Sequence, residues 1–234
     1  MSAWAIIVAG GRGLRMGTDI PKQLIKLGGI TILERTLKPF IHCPDIEGIV
    51  IVATEDITGH INDSIVRDFP IHKKISVIKG GQERQHSVLN GLSAIPADTK
   101  IVVIHDAVRP FINADLITEC IHAAQVFGAA TVMCPLKETV KVVSNSIVVN
   151  TLNRSSLWIT QTPQAFRTEL LLKAHAQARC DGFIGTDDSM LVERIGHPVH
   201  IIEGTDMNIK ITTPTDLKIA AALLTLFENG EKSC

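Results

Sequence analysis

The sequence lacks the features that mark membrane, secreted and nucleic-acid-binding proteins. It begins without a basic leader and cleavage site, and no apolar run reaches the roughly 18 residues that a membrane span requires. The formal net charge of the 234 residues is only −1, so no global attraction to nucleic acid or acidic lipid is expected. We therefore expect a soluble chain with neither membrane nor nucleic-acid partners, in which locally clustered cations bind any anionic ligand.

Cysteine is also scarce and is not organised into a motif. The five cysteines are far apart, odd in number and never in a C-x-x-C arrangement; they are Cys43, Cys120, Cys134, Cys180 and Cys234. Such spacing indicates neither a zinc site nor a disulfide framework. A reducing, cytoplasmic environment is therefore the expected location.

Apolar residues, by contrast, make up 45% of the chain, which is enough for a substantial core, and no linker interrupts them. We therefore expect a single domain over residues 1–234. Short β-branched segments, apolar throughout, alternate with helical ones, which is typical of strands covered on both faces in a parallel sheet. The predicted strands are Ala3–Ala9, Gly48–Ala53, Lys74–Ile78, Lys100–His105 and Ala129–Cys134. The sequence thus predicts an α/β fold with a mostly parallel sheet and helices on both faces.

Local signals place two helix starts and one hairpin. Thr31 with Glu34 predicts a capping box at the start of a helix, and Thr213 with Asp216 predicts the start of the last helix. Residues 138–152 break the α/β rhythm, because they alternate in polarity around a Ser-Asn-Ser turn, and we interpret them as a β-hairpin. An isolated hairpin is marginally stable in water, so this one is expected to pack against another surface.

A glycine-rich loop, A-G-G-R-G-L-R-M-G, follows the first strand at residues 9–17. Ligands of open α/β sheets bind at the carboxyl ends of the strands, and glycine lets backbone N–H groups approach phosphate oxygens closely. The candidate phosphate-binding residues are Ala9, Gly10, Gly11 and Gly13, with the cations Arg12, Arg15 and Lys22. A surface turn with solvated basic side chains is the alternative.

The loop does not match the two common nucleotide-binding motifs. A dinucleotide fingerprint that begins at Gly11 would need Gly or Ala where Met16 stands, and no Gly-Lys-Ser/Thr triplet forms a Walker A loop. An NAD-dependent oxidoreductase is therefore disfavoured.

The third predicted strand ends at Gly80-Gly81, before a helix predicted over Ser87–Ala94. The double glycine permits close approach of a base or ribose, and Arg84 and Ser87 offer hydrogen-bond donors. From these residues alone, however, an ordinary strand-to-helix turn with Arg84 on the surface is the favoured interpretation.

The fourth predicted strand ends in H-D-A-V-R-P, residues 105–110. The carboxylate of Asp106 could approach Mg²⁺, and Arg109 could bind a phosphate. A structural Asp–Arg pair is the alternative. His105 is interpreted as a packed, hydrogen-bonded strand residue and not as a catalyst.

In series, these motifs resemble those of one family, the 2-C-methyl-D-erythritol 4-phosphate cytidylyltransferases. The matching segments are A-G-G-R-G-L-R-M, P-K-Q, G-G-Q-E-R-Q-H-S-V-L-N-G-L, H-D-A-V-R-P, K-E-T-V-K, N-R-S-S-L-W with Q-T-P-Q, T-D-D-S and N-I-K-I-T-T-P. The resemblance implies a Rossmann-like nucleotidyltransferase fold, a homodimer, and CTP and Mg²⁺ as cosubstrate and cofactor. The implied products are diphosphocytidyl methylerythritol and pyrophosphate.

The resemblance also implies roles for individual residues at matching motif positions. Arg15 and Lys22 would bind the triphosphate, Gly81 and Ser87 the cytidine, and Asp106 would lie near metal and substrate. The residues implied to line the polyol phosphate are Arg109, Thr139, Thr162, Lys210 and, from the partner's hairpin arm at about 138–154, Arg154. Of all these, the catalytic cations would be Arg15, Lys22, Arg154 and Lys210. Lys210 is expected in a strand-like segment, Met207–Ile211.

Two departures and two rival functions complete the sequence-based interpretation. The family often has Ala-Ala-Gly where this chain has Ala-Gly-Gly from Ala9, and Gln82 stands where some members carry an acid. A pentitol-phosphate cytidylyltransferase, such as a ribitol 5-phosphate enzyme, is the nearest rival, and T-D-D-S together with Asn153-Arg154 favours methylerythritol phosphate. A non-catalytic nucleotide-binding module is the second rival, and the complete cationic set disfavours it.

Overall fold

The computed structural model describes residues 3–11, 16–17, 20–67 and 73–230, with side chains as far as residue 226. The strands are β1 (Ala3–Ala9), β2 (Lys26–Leu27), β3 (Ile30–Thr31), β4 (Ile46–Ala53), β5 (Lys74–Lys79), β6 (Ile101–Asp106), β7 (Ala129–Pro135), β8 (Lys141–Ser144), β9 (Ile147–Thr151), β10 (Trp158–Arg167) and β11 (His200–Glu203). The helices are α1 (Ile32–His42), α2 (Glu55–Ile61), α3 (Arg84–Ala94), α4 (Ala114–Phe127), α5 (Thr168–Cys180), α6 (Asp188–Arg194) and α7 (Pro214–Gly230).

A seven-stranded sheet with the order β11-β7-β10-β6-β1-β4-β5 forms the centre of the structure. β1 pairs in parallel with β4 and β6, β4 with β5, and β7 with β11, whereas β10 runs antiparallel to both of its neighbours. All five predicted strands are present, with bounds that differ from the prediction by no more than two residues. The mostly parallel α/β fold is therefore confirmed.

The antiparallel strand β10 was not predicted from the sequence. Its segment W-I-T-Q-T-P-Q-A-F-R contains Pro163, which has no N–H to donate to a ladder and argues against a central strand. In the structure the pairing with β7 shifts between Thr160 and Gln164, so the proline lies where the ladder is interrupted. The strand is nevertheless buried from Gln161 to Phe166, because helices cover both faces of the sheet there.

Two large apolar clusters fill the two faces of the sheet. On one face the side chains of Ala5 and Ile7 pack with residues of α1, α2 and α4. On the other face Trp4 and Ile6 pack with residues of α3, α5 and α6. The alternation along β1 explains why its sequence is apolar throughout, as expected for a strand covered on both faces. No described helix is long and apolar enough to cross a bilayer.

Both predicted helix starts are confirmed. The Thr31 N–H donates to Glu34 Oε2 at 2.6 Å, and the Glu34 N–H donates to Thr31 Oγ1 at 3.1 Å, which closes the capping box of α1. At α7 the Asp216 N–H donates to Thr213 Oγ1 at 3.2 Å, and the Thr213 N–H donates to Asp216 Oδ2 at 2.8 Å. Reciprocal bonds of this kind satisfy backbone donors that have no partner within the helix.

The predicted hairpin is also present and forms a two-stranded sheet of its own, which we call the arm. β8 and β9 pair antiparallel, and Asn145 and Ser146 turn the chain with φ of 50° and 63°. Every residue of the two strands is exposed, including Ile147 at 69% and Val149 at 63%. The arm therefore has apolar side chains that the described part of this chain leaves uncovered.

Two predicted segments differ in the structure. The helix expected from Ser87 begins at Arg84, because the Ser87 N–H already donates to the Glu83 carbonyl at 3.0 Å. The segment Met207–Ile211 is not a strand, because its backbone groups bond to turns and side chains instead of a neighbouring strand. Within it the Asn208 N–H donates to the Thr205 carbonyl at 3.1 Å.

The pairing of Trp4 with Gly48 yields a stability prediction. A Cβ on Gly48 would lie 2.5 Å from the indole of Trp4, which is only 6% exposed and has no room to move. We expect Gly48→Ala to destabilise the fold by about 1–3 kcal/mol through overpacking. Gly59 of α2 is the matched control, because a Cβ there meets nothing within 4 Å, and Gly59→Ala should stabilise the helix by about 1 kcal/mol. Urea unfolding of both variants would contradict this account if the two shifts had the same sign.

Candidate active site

Two adjoining cavities open at the carboxyl edge of the sheet. The larger has a volume of about 1410 Å³ and lies over the ends of β1, β5 and β6. The smaller has a volume of about 450 Å³ and lies between β10 and α6. Arg84, Asp106 and Lys210 line both, so these three side chains form the boundary between them.

The larger cavity contains most of the residues predicted to bind the nucleotide. Its lining includes Ala9, Gly10, Gly11, Lys22, Gly81, Ser87 and Asp106. Buried Gln23 donates from Nε2 to the Ala9 carbonyl at 2.8 Å, which fixes the end of β1 against the segment that carries Lys22. Three further predicted residues, Gly13, Arg15 and Arg12, lie outside the described residues.

The Gly80-Gly81 turn has a packing reason to be glycine. A Cβ on Gly81 would lie 2.3 Å from His86 Cβ, and one on Gly80 would lie 2.9 Å from Ser87 Oγ. Ser87 Oγ accepts from the Gly81 N–H at 3.1 Å and donates to the Glu83 carbonyl at 3.2 Å. The turn therefore lies directly against the first residues of α3, and the serine hydroxyl holds it there.

Three cations surround the carboxylate of Asp106 at the end of β6. Lys210 Nζ lies 2.9 Å from Oδ2, Arg109 Nε lies 3.4 Å from Oδ2, and Arg84 Nε lies 3.3 Å from Oδ1. The structure thus contains the Asp–Arg pair that was the alternative interpretation of this motif, within a larger cluster that lines both cavities.

The expectation that Arg84 is a surface residue is wrong. Its side chain is 24% exposed, and its Nη1 donates to Asp188 Oδ2 at 2.7 Å. His175 Nε2 lies 3.7 Å from the other oxygen of Asp188, and both residues are buried. In the sequence, the T-D-D-S motif was the signal that could have indicated a partner for Arg84, since a buried aspartate requires a cationic partner.

The charge cluster lowers the pKa values of its two carboxylates, Asp106 and Asp188. Burial alone would raise the pKa of Asp106, but Arg84, Lys210 and Arg109 outweigh it and hold the pKa well below its usual range. Burial also opposes ionisation of Asp188, and Arg84 and His175 lower its pKa nonetheless. Both carboxylates are therefore ionised at neutral pH.

A segment that we call the strap, residues 204–211, carries Lys210 to the cluster. The Gly204 N–H donates to the Met133 carbonyl at 2.7 Å, and the Ile211 N–H donates to the Val108 carbonyl at 2.9 Å. Between these anchors, Arg109 Nη1 donates to the carbonyl of buried Asn208 at 2.7 Å. The strap thus fixes Lys210 and Arg109 relative to each other, although it is not the predicted strand.

His105 and Thr162 are buried beside the cluster. The imidazole lies within hydrogen-bonding distance of Thr162 Oγ1, at 3.0 Å, and of the Arg109 carbonyl, at 3.2 Å. Burial lowers the pKa of His105 to about 4, so the ring is neutral at pH 7. The prediction of a packed, hydrogen-bonded strand histidine is confirmed. Thr162 and Arg109 both line the smaller cavity, together with Lys210.

Two predicted residues lie away from the cluster in this chain. Thr139 precedes the arm, and Arg154 follows it and donates from Nη1 to the Lys137 carbonyl at 2.7 Å. Neither Thr139 nor Arg154 is among the described residues that line the two cavities. Within the described part of this chain, the structure therefore does not bring these two residues to the cluster.

The residues present suit a magnesium ion that protein and substrate hold together better than one that protein side chains hold alone. Among the described residues, no group of three or more His, Cys, Asp or Glu side chains could hold a metal. Asp106 Oδ1, however, accepts the long bond from Arg84 and no second hydrogen bond from the described part of the chain, which leaves it a lone pair at the cavity. Mg²⁺ is commonly held by one or two carboxylates together with substrate phosphates and water.

Comparison with known proteins gives a consistent result. The family model described as 2-C-methyl-D-erythritol 4-phosphate cytidylyltransferase matches residues 3–226. A relative with that name from Geobacillus thermodenitrificans is 46% identical, with 96% of this chain and 97% of the relative covered. One from Caldanaerobacter subterraneus is 41% identical, with 96% and 99% covered.

Solved structures agree with this. A 4-diphosphocytidyl-2C-methyl-D-erythritol synthase from Anaerococcus prevotii superposes with a TM-score of 0.85 at 33% identity and covers 96% of each chain. The 2-C-methyl-D-erythritol 4-phosphate cytidylyltransferase of Francisella tularensis superposes with a TM-score of 0.80 at 34% identity, with 94% of this chain and 98% of that chain covered.

The buried pair of Arg84 and Asp188 predicts a pH-dependent stability. The pKa of Asp188 is lowered on folding, so its contribution is present above the unfolded value of about 3.9 and is lost as the pH falls. Asp188→Asn should cost about 3 kcal/mol at pH 7, because it leaves Arg84 incompletely paired, and a smaller amount at pH 2, since the contribution declines as the pH falls towards the lowered pKa. Urea unfolding at both pH values measures this difference.

Asp181→Asn is the control, since Asp181 forms an ion pair with Arg194 at the surface, at 2.9 Å, and its removal should change stability little at either pH. An equal loss of stability at pH 7 and pH 2 in Asp188→Asn would contradict the assigned pair.

Proposed function

Since the chain belongs to the 2-C-methyl-D-erythritol 4-phosphate cytidylyltransferase family, it transfers the cytidylyl group of CTP to that polyol phosphate in isoprenoid precursor synthesis, and we propose how its residues do so. The products are 4-diphosphocytidyl-2-C-methyl-D-erythritol and pyrophosphate. One observation carries the proposed arrangement. The cluster of Arg84, Asp106 and Lys210 lies at the boundary of two cavities, where two anionic substrates can meet.

CTP binds in the larger cavity. Its cytidine lies by Gly81 and Ser87, where the turn presents backbone groups, and its triphosphate extends towards Ala9, Gly10 and Gly11 at the end of β1. The backbone N–H groups of a glycine-rich turn suit phosphate oxygens. Lys22 lines the same cavity. Gly13, Arg15 and Arg12 follow these glycines in the sequence and are assigned to the triphosphate with Lys22.

The polyol phosphate binds in the smaller cavity. Arg109 and Lys210 line it and offer two cations, and Thr162 lines it from β10. An arginine suits a phosphate because its planar fork can donate two parallel hydrogen bonds. The proposal thus places the phosphate of the acceptor beside the same cluster that the triphosphate reaches from the other side.

An oxygen of the polyol phosphate attacks the α-phosphorus of CTP. A new O–P bond forms, the bond from the α-phosphorus to the oxygen bridging to the β-phosphorus breaks, and pyrophosphate leaves with that electron pair. The second pKa of a phosphate monoester is about 6, so the nucleophile is mostly deprotonated at pH 7 and no general base is needed. This explains why a neutral, buried His105 is no obstacle to the reaction.

Repulsion between the two substrates is the main barrier that the site must lower. Each pair of unit charges about 4 Å apart costs roughly 4 kcal/mol at an effective dielectric of 20. The proposed catalytic cations, Arg15, Lys22, Lys210 and Arg154 of the partner subunit, offset this cost and hold the reacting atoms in line. Asp106 is the residue that would hold Mg²⁺, and the ion would supply positive charge to the triphosphate oxygens.

The active unit is a homodimer in which the arm of each subunit completes the site of the other. The uncovered apolar side chains of β8 and β9 support this, since such a patch on an isolated hairpin is costly in water. Thr139 and Arg154 flank the arm and lie outside the smaller cavity of their own chain, so a partner's cavity can receive them.

Two further assignments belong to the same proposal. The chain is a single nucleotidyltransferase domain, residues 1–234, from which the arm and the residues that flank it, at about 138–154, extend for dimerisation. We also assign the enzyme to the cytoplasm, and the free thiols of the described cysteines Cys43, Cys120, Cys134 and Cys180 support a reducing compartment.

The substrate assignment predicts a selective, metal-dependent reaction. Pyrophosphate release should require CTP, methylerythritol phosphate and a divalent cation together, because the cluster alone cannot offset the repulsion of two substrates. In the matched controls, ribitol 5-phosphate replaces methylerythritol phosphate as the acceptor, or EDTA removes the divalent cation. Equal rates with both acceptors, or full activity in EDTA, would contradict the proposal.

The shared site predicts complementation between two inactive variants. Arg154→Ala and Lys210→Ala homodimers should each be nearly inactive. After random remixing roughly half of the dimers are mixed, and each mixed dimer has one site with both residues intact, so activity should return to roughly a quarter of wild type. Remixing that native mass spectrometry verifies, but that restores no activity, would reject the shared site and leave the substrate assignment intact.

A further inference from the structure

Asp106 and Arg109 are the two ends of one tight turn that projects both side chains to the boundary of the cavities. The Arg109 N–H donates to the Asp106 carbonyl at 3.1 Å, which closes the turn. Between them the Ala107 N–H donates to the Val8 carbonyl at 3.0 Å and holds the turn on β1. The orientation of this turn therefore decides where the carboxylate and the guanidinium point.

A single imidazole connects the two ends of that turn. His105 Nε2 lies 3.2 Å from the Arg109 carbonyl at one end. His105 Nδ1 lies 3.0 Å from Thr162 Oγ1, and that hydroxyl accepts from the Asp106 N–H at 3.1 Å at the other end. His105 is fully buried and Thr162 is 4% exposed, so these contacts are shielded from solvent.

The partners determine where each proton lies. A carbonyl oxygen can only accept, so the proton of the neutral ring is on Nε2, which donates to Arg109. Nδ1 is then an acceptor, and the hydroxyl of Thr162 must donate to it. The hydroxyl has one proton, and this bond uses it.

We propose that His105 is a positioning residue, whose ring holds the Arg109 end of the turn directly and the Asp106 end through Thr162, and that the Thr162 hydroxyl serves this contact and is not a donor to phosphate. The inference rests on the proposed function for its substrates. The hydroxyl of Thr162 presents only a lone pair to the smaller cavity. A lone pair suits a hydroxyl of the polyol and repels a phosphate oxygen.

The tautomer itself is the first test, and it needs no activity. In the ¹⁵N spectrum of histidine-labelled wild-type protein at pH 7, we expect Nε2 of His105 to carry the proton and Nδ1 to be unprotonated. His105→Gln assigns the signal by its loss. A ring with its proton on Nδ1 would overturn the inference, because Thr162 would then be free to donate elsewhere.

Two substitutions separate the two ends of the turn. His105→Asn places a carbonyl near the position of Nδ1 and keeps an acceptor for Thr162, but it releases Arg109. His105→Gln places an amide N–H near the position of Nε2 and keeps the bond to Arg109, but it releases Thr162. Loss of a partner that orients a liganding group typically costs about 10–100-fold in affinity or activity.

We expect the kinetic losses to divide accordingly. His105→Asn should raise KM for the polyol phosphate by about 10-fold or more, with KM for CTP unchanged, because Arg109 lines only the smaller cavity. His105→Gln should lower kcat, because Asp106 lines both cavities. Phe40→Leu is the control, since Phe40 packs on the ring with centroids 5.0 Å apart and donates no hydrogen bond to it. It should lower the melting temperature and leave both constants unchanged.

A double-mutant cycle with Thr162→Val completes the test. If the ring acts on Asp106 through Thr162, His105→Gln should add little to the loss already caused by Thr162→Val. Full additivity, wild-type kinetics in both His105 variants, or losses that also occur in Phe40→Leu would overturn the inference. If the wild-type protein showed no cytidylyl transfer, the proposed function would be refuted instead. The tautomer measurement would still decide the contacts of His105.

Discussion

The ionised carboxylate of Asp106 makes the rest of the site possible. Arg84, Arg109 and Lys210 all lie within 3.4 Å of it. Without that anion, three cations would repel one another across a few ångströms in a partly desolvated setting, at a cost of several kcal/mol. Asp188 contributes the second negative charge by pairing with Arg84, so the five side chains together carry a net charge of +1. A site for two polyanions can therefore be assembled before either arrives.

The sheet topology explains why this cluster forms at β6. β6 lies between β1, which leads into the glycine-rich loop, and β10, which supplies the wall of the smaller cavity. Gln164 of β10 donates to Asp187 at 2.8 Å and accepts from the Asp188 N–H at 3.1 Å, which fixes the start of α6. The antiparallel strand β10 thus connects β6, which carries Asp106, to the start of α6, which carries Asp188.

Features encoded by neighbouring residues could be predicted from the sequence, whereas features that depend on distant contacts could not. The capping box of Thr31 and Glu34 and the apolar strands are local, and the structure contains them. The role of Arg84 depends on Asp188, which lies 104 residues away along the chain. The T-D-D-S motif marks that aspartate but does not indicate which cation pairs with it. β10 was missed for a related reason, because Pro163 weakens its local signal and burial between β6 and β7 decides its conformation.

Lys210 differs from the two arginines of the cluster in a way that bears on turnover. Its side chain is 40% exposed, against 24% for Arg84 and 10% for Arg109, and it ends in a flexible ammonium. The ammonium has three N–H donors, so a phosphate that it binds shares it with Asp106, and the carboxylate is an internal competitor for the same cation. Such competition weakens the binding of every anion to Lys210, including that of the product. In the proposed reaction, the release of pyrophosphate is thus aided by a carboxylate that never leaves the protein.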